Sequence, residues 1–214
     1  MQSGSIVELY GQRNGGKLLF THSVIAEILL DDQKRNAFNV TVFDYAKQFS
    51  AQLLADLIRK KRDLSDSELT ELLNSVQILN PITYEHAIKA LRAMSYRIMS
   101  SRWEVYKKKI PKSTPIIIFM DVGSLLYYSG GDLAGHYRQS EMFKCLDSIR
   151  RCGSLIILLN HCKSVDEKCF EPALGRNWRT MVTTRFYFQK DDTGYFYVPI
   201  MRDQVPRKYC YYHP

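Results

Sequence analysis

The segment Gly11-Gln12-Arg13-Asn14-Gly15-Gly16-Lys17-Leu18 decides the fold, because of what lies on either side of it. Residues 6–10 are mostly apolar and predict a β-strand, and residues 18–30 have apolar side chains at helical spacing. The segment matches the G-x-x-x-x-G-K pattern of a phosphate-binding loop, whose backbone N–H groups surround phosphate oxygens at a helix N-terminus. A glycine-rich turn followed by a chance lysine is the alternative, and the position between strand and helix favours the phosphate-binding loop.

The metal site of this loop is predicted to be incomplete. A serine or threonine normally follows the lysine and binds Mg²⁺ through its hydroxyl, but Leu18 takes that place and cannot coordinate a hard cation. Asp121 follows the apolar run 116–120, which is the position of the carboxylate that reaches Mg²⁺ in such sites. An aspartate that simply ends a strand is the alternative for Asp121. We therefore predict no metal ligands of the chain's own.

The pattern along the chain alternates between strands and helices. Residues 116–120 and 155–159 are unbroken apolar runs, which are typical of parallel strands buried on both faces. Shorter strands are expected at 40–43 and 75–79, and helices at 52–62, 83–106 and 138–152. This alternation predicts an α/β fold with a mostly parallel, twisted sheet flanked by helices.

The C-terminal part of the chain has a different pattern. Residues 184–189, 195–199 and 209–212 have strand composition, and turn residues lie at 191–194. These three segments predict antiparallel strands at one edge of the sheet. The length of 214 residues suits one domain over residues 1–214.

Charge, apolar runs and cysteine content indicate which partners, membrane segments and disulfides to expect. Lys and Arg number 30 against 22 Asp and Glu, and the net charge of +8 favours a polyanionic partner, although a basic surface without a ligand has the same count. The longest apolar runs fall far short of the roughly 20 residues of a membrane helix, and no signal peptide is expected. The five cysteines are odd in number and lack a Cys-x-x-Cys pair, so we expect reduced intracellular thiols at Cys145, Cys152, Cys162, Cys169 and Cys210.

Two stretches resemble one protein family. The opening Ser3-Gly4-Ser5-Ile6-Val7-Glu8-Leu9-Tyr10-Gly11 resembles the start of the ATPase core in eukaryotic RecA-like strand-exchange proteins. The later residues resemble the end of that core in the recombinase paralogues, particularly the D-type paralogue; they are Asn160-His161, Pro172-Ala173-Leu174-Gly175-Arg176-Asn177-Trp178 and Thr183-Thr184-Arg185. The resemblance runs from Ser3 to about Pro206 and is faint between residues 51 and 112.

The resemblance implies a RecA-like P-loop NTPase core that has lost hydrolysis. The family's glutamate, which orients the attacking water, corresponds to Ala46 in the run Phe43-Asp44-Tyr45-Ala46-Lys47-Gln48-Phe49. Loss of a positioned carboxylate typically costs about 10²–10⁴ in rate, so no catalytic residue is assigned. His161 corresponds to the γ-phosphate-sensing position. Lys17 and Asp121 leave ATP binding open, with Mg²⁺ present only if ATP binds.

The resemblance also implies contacts with a neighbouring subunit and with DNA. Arg202 corresponds to a loop that covers the nucleotide of the next subunit, and a basic residue in a solvated turn is the alternative. Residues 127–138 correspond to the first DNA-binding loop, and an ordinary surface loop is the alternative. Its candidate contacts combine aromatic and basic side chains, as in sequence-tolerant single-strand binding, and are Tyr127, Tyr128, His136 and Arg138. The second loop, 162–171, mixes charges and is expected to hold DNA poorly.

The implied function is that of a nuclear, non-hydrolysing subunit in homologous recombination repair. Because the chain begins at the first strand of the core, we expect no helical domain before it and a heterodimer with another recombinase paralogue. This heterodimer would assist the main strand-exchange recombinase on single-stranded DNA. Two alternatives stay open: a working ATPase with an unusual Mg²⁺ shell, and an ATPase-dead RecA-fold scaffold such as a ring subunit of the elongator complex.

Overall fold

One mixed β-sheet with helices on both faces forms the fold, as a computed structural model of the protein shows. The structure describes residues 4–108, 113–127, 133–166, 169–174, 176–192, 194–200 and 209–212. Within these ranges the chain has nine strands and eight helices.

The elements alternate along the chain, as the sequence pattern predicts. The first half contains β1 (Ile6–Gly11), α1 (Lys17–Leu30), α2 (Asp32–Ala37), β2 (Phe38–Phe43), α3 (Ala51–Arg59), α4 (Asp66–Asn74), β3 (Gln77–Leu79) and α5 (Tyr84–Lys108). The second half contains β4 (Thr114–Phe119), α6 (Val122–Tyr127), α7 (Leu133–Arg151), β5 (Leu155–Asp166), β6 (Cys169–Pro172), α8 (Arg176–Met181), β7 (Thr184–Asp191), β8 (Gly194–Ile200) and β9 (Tyr209–Tyr212).

The strand order is β3-β2-β4-β5-β1-β7-β8-β9, and β6 pairs with the distal part of β5. The first six strands of this order are parallel to one another. The pairs β7–β8 and β8–β9 are antiparallel, so the predicted antiparallel edge is confirmed, with β7 itself parallel to β1. Because the carboxyl ends of parallel strands meet at the same edge, the residues that follow β1 and β4 come together with the part of β5 that leaves the parallel sheet.

Two apolar layers cover the sheet. In β4, Ile116 and Ile118 face the layer formed by α1, α3 and α4, whereas Ile117 and Phe119 face the layer of α5, α6, α7 and α8. This alternation is the normal two-residue period of a strand, with both faces covered. It explains why the apolar run in β4 has no polar residue, and it buries the strand that ends beside Asp121.

Two segments that the sequence predicts to be loops, 127–138 and 162–171, consist largely of helix or strand where the structure describes them. Helix α7 begins at Leu133, so His136 and Arg138 lie on a helix and not in a loop, while Tyr127 ends α6. Tyr128 lies outside the described residues. The predicted second loop, 162–171, is largely a hairpin, because β5 continues beyond the parallel sheet and pairs with β6. The described residues of both segments therefore differ from the loops that the sequence predicts, because they belong to helices and strands.

None of the helices in the described part of the chain combines the length and apolar character that crossing a membrane requires.

Candidate nucleotide-binding site

The loop between β1 and α1 depends on glycine at defined positions. Gly11 has a φ of 149°, and a Cβ atom there would lie 2.1 Å from the carbonyl oxygen of Phe188 on β7. A Cβ atom on Gly15 would lie 2.7 Å from the same oxygen. Gly16 has a φ of 88° and forms the N-cap of α1. The loop can therefore lie against β7 only because these positions have no side chain.

The side chain of Lys17 is buried inside this loop. Its Nζ donates hydrogen bonds to the carbonyl oxygens of Gly11 at 2.9 Å and of Gln12 at 2.6 Å. Burial lowers the pKa of Lys17 to about 8. Within the described residues no carboxylate forms an ion pair with it. An ammonium group held only by neutral carbonyls can exchange them for charged phosphate oxygens, which are stronger acceptors.

Asp121 lies two residues after the end of β4 and has a strained backbone with a φ of 148°. Its Oδ1 accepts a hydrogen bond from the Ser124 N–H at 2.9 Å, and its Oδ2 accepts one from the Ser124 hydroxyl at 2.6 Å. The same Oδ2 lies 3.0 Å from His161 Nε2. Burial alone would raise the pKa of Asp121, but the hydrogen bonds from His161 and Ser124 outweigh it and hold that pKa below its ordinary value.

His161 is placed by strand register and by a small residue on α6. It lies on β5 opposite Gly11 of β1, and its backbone N–H donates to the side-chain oxygen of Asn160 at 2.8 Å. A Cβ atom on Gly123 would lie 2.6 Å from that oxygen, so only glycine lets α6 approach β5 this closely. The His161 side chain is 44% exposed, which leaves the ring accessible from the cavity next to it.

A buried hydrogen-bond network around Glu8 holds together the strands that carry the site. Glu8 has no exposed surface, and its Oε1 accepts hydrogen bonds from Asn160 at 2.8 Å and from the Trp178 indole at 2.9 Å. Its Oε2 accepts from the Arg185 guanidinium at 2.7 Å. The network thus joins β1, β5, α8 and β7. Sequence reasoning missed the role of Glu8, although a carboxylate inside an apolar strand is an unusual pattern that points to buried partners.

The site opens into a cavity of about 570 Å³, a volume typical of small-molecule sites. Four of its lining residues are basic or imidazole side chains, and one is acidic, namely Asp121. The predicted residues that line it are Arg13, Asn14, Gly16, Lys17, Leu18, Asp121 and His161. The lining residues that sequence reasoning missed include Gln48, Lys190 and Tyr195. Periodicity gives no signal for them, because they come from a turn and from the β7–β8 hairpin.

The turn after β2 is held by hydrogen bonds, and it has alanine at the position where the family that the chain resembles has the water-orienting glutamate. Asp44 accepts hydrogen bonds from the backbone N–H groups of Gln48 at 2.7 Å and Phe49 at 2.9 Å, which fixes the turn. Ala46 lies within this turn and has no group that could take a proton. Gln48 is the residue of the turn that reaches the cavity.

Of the predicted DNA-facing residues, His136 and Arg138 have described side chains, and neither lines this cavity. The Arg138 guanidinium lies 5.3 Å from the centre of the Tyr84 ring and 3.3 Å from Glu85. His136 is exposed on α7, and Tyr127 is the last residue of α6. Tyr128 and the predicted trans contact Arg202 lie outside the described residues.

The residues present do not fit a Mg²⁺ ion of the kind that the loop pattern implies. Leu18 has no oxygen to offer, and both oxygens of Asp121 already accept hydrogen bonds from the protein. Among the described residues there is no group of three or more His, Cys, Asp or Glu side chains that could hold a metal. Mg²⁺ is usually held by one or two protein oxygens together with waters and substrate phosphates, and here one of those oxygens is absent and the carboxylate is hydrogen-bonded by its neighbours.

Chemically, the arrangement suits binding of phosphate groups better than their transfer. Backbone N–H groups at a helix N-terminus, a buried lysine and several further cationic side chains face one cavity. The described lining residues provide no free carboxylate that could act as a base. Comparisons with protein-family models and with curated proteins found no match for this chain.

Proposed function

We propose that this chain is a nucleotide-binding but non-hydrolysing RecA-like subunit of a recombinase-paralogue complex, which assists the strand-exchange recombinase on single-stranded DNA in the nucleus. The main support is one arrangement of three residues that line the same cavity. Lys17 follows β1, Asp121 follows β4, and His161 is the last residue of β5 that pairs with β1. Brought together at the carboxyl edge of a sheet, these groups occupy the usual position of a ligand site in α/β proteins.

Nucleotide binding is supported by the glycine-dependent geometry of the loop. The close approach of Gly11 and Gly15 to Phe188 lets the loop wrap tightly around the ammonium of Lys17. A turn that arose by chance has no need of two glycines against the same carbonyl oxygen. The cationic lining gives the cavity the charge that a phosphate chain requires.

The absence of hydrolysis follows from three positions. Leu18 replaces the hydroxyl that holds Mg²⁺, and Ala46 replaces the carboxylate that orients water in the family the chain resembles. Asp121 is engaged by its own neighbours. A positioned base alone contributes about 10²–10⁴ in rate, so loss of the base and of the metal together leaves turnover close to the uncatalysed level.

The recombination role rests on the family resemblance. The Glu8 network gives the resembling residues a common structural purpose, because Asn160, Trp178 and Arg185 all bind the same carboxylate. In this proposal the partner is another recombinase paralogue, and Arg202 contacts the nucleotide of the neighbouring subunit. Single-stranded DNA is bound by the assembly.

Two measurements test the proposal. The full chain should bind a fluorescent ATP analogue, Lys17→Ala should weaken that binding by at least about tenfold, roughly 1.4 kcal/mol, and neither protein should release phosphate above background. Phosphate release that Lys17→Ala abolishes would instead establish a working ATPase.

The partner is identified separately. Affinity capture of the tagged chain from its own cells should return recombinase relatives, whereas recovery of elongator subunits would contradict the recombination role. A chain with the Glu8→Gln substitution is a suitable control for captures caused by misfolding, because it loosens the buried network without changing the surface.

A further inference from the structure

We propose that the cavity binds the phosphate chain of a nucleotide without a divalent metal, and that side chains of this protein supply the positive charge that Mg²⁺ would otherwise provide. The inference rests on the proposed nucleotide binding. It assigns a contact to Lys190 on the β7–β8 hairpin, which lines the same cavity as Lys17.

The first argument is that the carboxylate of Asp121 already accepts hydrogen bonds from the protein. Three contacts at 2.6–3.0 Å converge on its two oxygens, two from Ser124 and one from His161. These contacts belong to short, well-formed hydrogen bonds. Three of the roughly four acceptor sites of the carboxylate are therefore in use, and the protein's own hydrogen-bond donors compete with a metal-bound water for Asp121.

The second argument is that an apolar side chain takes the other position expected to hold the metal. Leu18 packs against the cluster formed by α1, α3, α4 and the sheet. Its carbonyl oxygen is also in use, because it lies 2.7 Å from Nδ1 of His22. Hydration of a metal next to this leucine would carry a desolvation cost that no oxygen ligand offsets.

The third argument is the supply of cations. Arg13 from the loop, Lys17 from α1, His161 from β5 and Lys190 from the hairpin all line the cavity. Lys190 Nζ lies 5.1 Å from the centre of the Tyr195 ring, and Tyr195 lines the cavity as well. Within the described residues neither Arg13 nor Lys190 has a carboxylate partner. Their charge therefore remains available to a phosphate chain, for which Arg and Lys are the usual ligands.

The ligand class follows from this distribution of charge. Three basic side chains and one imidazole line a cavity with one acid that is already hydrogen-bonded. A compound with several phosphates suits that environment, whereas a neutral ligand would leave the cations unpaired. We therefore expect a nucleoside triphosphate or diphosphate to bind as the free anion.

The test is to measure the affinity of the 214-residue chain for a fluorescent ATP analogue in EDTA and in Mg²⁺. We expect the two dissociation constants to agree within about threefold, roughly 0.65 kcal/mol. Lys190→Ala should weaken binding in EDTA by about tenfold, and Lys89→Ala, which removes an exposed lysine on α5, should leave it unchanged. Thermal unfolding of each variant checks that the fold is intact.

A second variant tests whether Leu18 and His161 are the reason why Mg²⁺ does not strengthen binding. The double substitution Leu18→Thr with His161→Gln supplies a hydroxyl beside Lys17 and removes the imidazole from Asp121. This variant should bind more tightly in Mg²⁺ than in EDTA, in contrast to the original chain.

The outcomes separate the two proposals. Binding only in Mg²⁺ overturns the metal-free inference and leaves the proposed nucleotide binding intact. If the affinity is the same in both buffers but Lys190→Ala does not weaken it, Lys190 does not contact the phosphate chain. If the folded chain binds the analogue in neither buffer, the proposed nucleotide binding itself fails, and the inference falls with it.

Discussion

The Arg185 guanidinium lies 2.7 Å from the carboxylate of Glu8, which is fully buried in the middle of the sheet. The two residues face each other on neighbouring parallel strands, β1 and β7. Arg185 also donates a hydrogen bond to the backbone carbonyl of Arg179 in α8 at 2.8 Å. This ion pair, in which Glu8 is fully buried and Arg185 largely buried, therefore fixes the strand before the glycine-rich loop 11–18 to the strand against which that loop packs.

We predict that Glu8→Gln lowers the free energy of unfolding by about 3–5 kcal/mol. The amide can still accept from Asn160 and Trp178, but the guanidinium of Arg185 is left buried without a counter-charge. Urea denaturation followed by circular dichroism measures the loss.

The matched control is Glu27→Gln, which removes a carboxylate from an ion pair with Lys61 in which both side chains are largely exposed. That change should cost less than about 1 kcal/mol. Equal losses for Glu8→Gln and Glu27→Gln would mean that burial does not determine the strength of the pair at Glu8.

A second prediction concerns the loop. Gly11→Ala should destabilise the protein by at least about 2 kcal/mol, because the residue combines a left-handed φ of 149° with a Cβ position 2.1 Å from the Phe188 carbonyl oxygen. It should also abolish nucleotide binding, since the loop would have to move away from β7. Thermal unfolding and the fluorescent ATP assay measure the two effects.

Gly4→Ala separates the two causes of that loss. Gly4 also has a positive φ, 78°, but the nearest atom to its Cβ position is 3.5 Å away. The alanine there meets only the backbone penalty, about 1 kcal/mol, and nucleotide binding should be retained. If Gly4→Ala were as damaging as Gly11→Ala, the contact with Phe188 would not be the cause.

The sequence predicts the parallel part of the sheet well, because the physical signal is local. In β4 the run from Ile116 to Phe119 alternates between two buried faces, and that requirement alone excludes polar residues. The loop pattern places Lys17 correctly for the same reason, since its strand and helix are adjacent in sequence. Even α4 has a local signal that our sequence analysis missed, the capping box between Ser65 and Glu68.

The side chains that complete the site could not be predicted in this way. Lys190 reaches the cavity because β7 pairs with β1, a contact between residues far apart in sequence. The hydrogen bond between Asp121 and His161 depends on β4 and β5 being neighbours and on Gly123 letting α6 approach. The helical start at Leu133 also depends on packing, since α7 lies against α5. Such relations follow from the fold and not from sequence spacing.

The third prediction concerns pH and follows from His22, which is fully buried and stacked on Phe49 with ring centres 4.9 Å apart. Its Nε2 accepts a hydrogen bond from the Ser50 N–H at 3.1 Å, so the ring proton lies on Nδ1, which donates to the Leu18 carbonyl at 2.7 Å. Both nitrogens are satisfied only in the neutral ring. Burial accordingly lowers the pKa of His22 below its ordinary value of 6.5.

The sign of the pH effect follows from that direction. Above about pH 7 the ring is neutral in both the folded and the unfolded chain, so His22 adds no pH dependence. As the pH falls below about 6.5 the unfolded chain takes up the proton first, and the folded protein loses stability by up to about 1.4 kcal/mol per pH unit until the folded pKa is reached. Melting temperatures between pH 7.5 and 5 should therefore fall more steeply for the original chain than for His22→Gln, whose amide does not titrate. His86→Gln, at an exposed histidine on α5, should keep the steep slope. Parallel slopes for the original chain and His22→Gln would show that the buried ring is not the group whose protonation destabilises the folded protein at low pH.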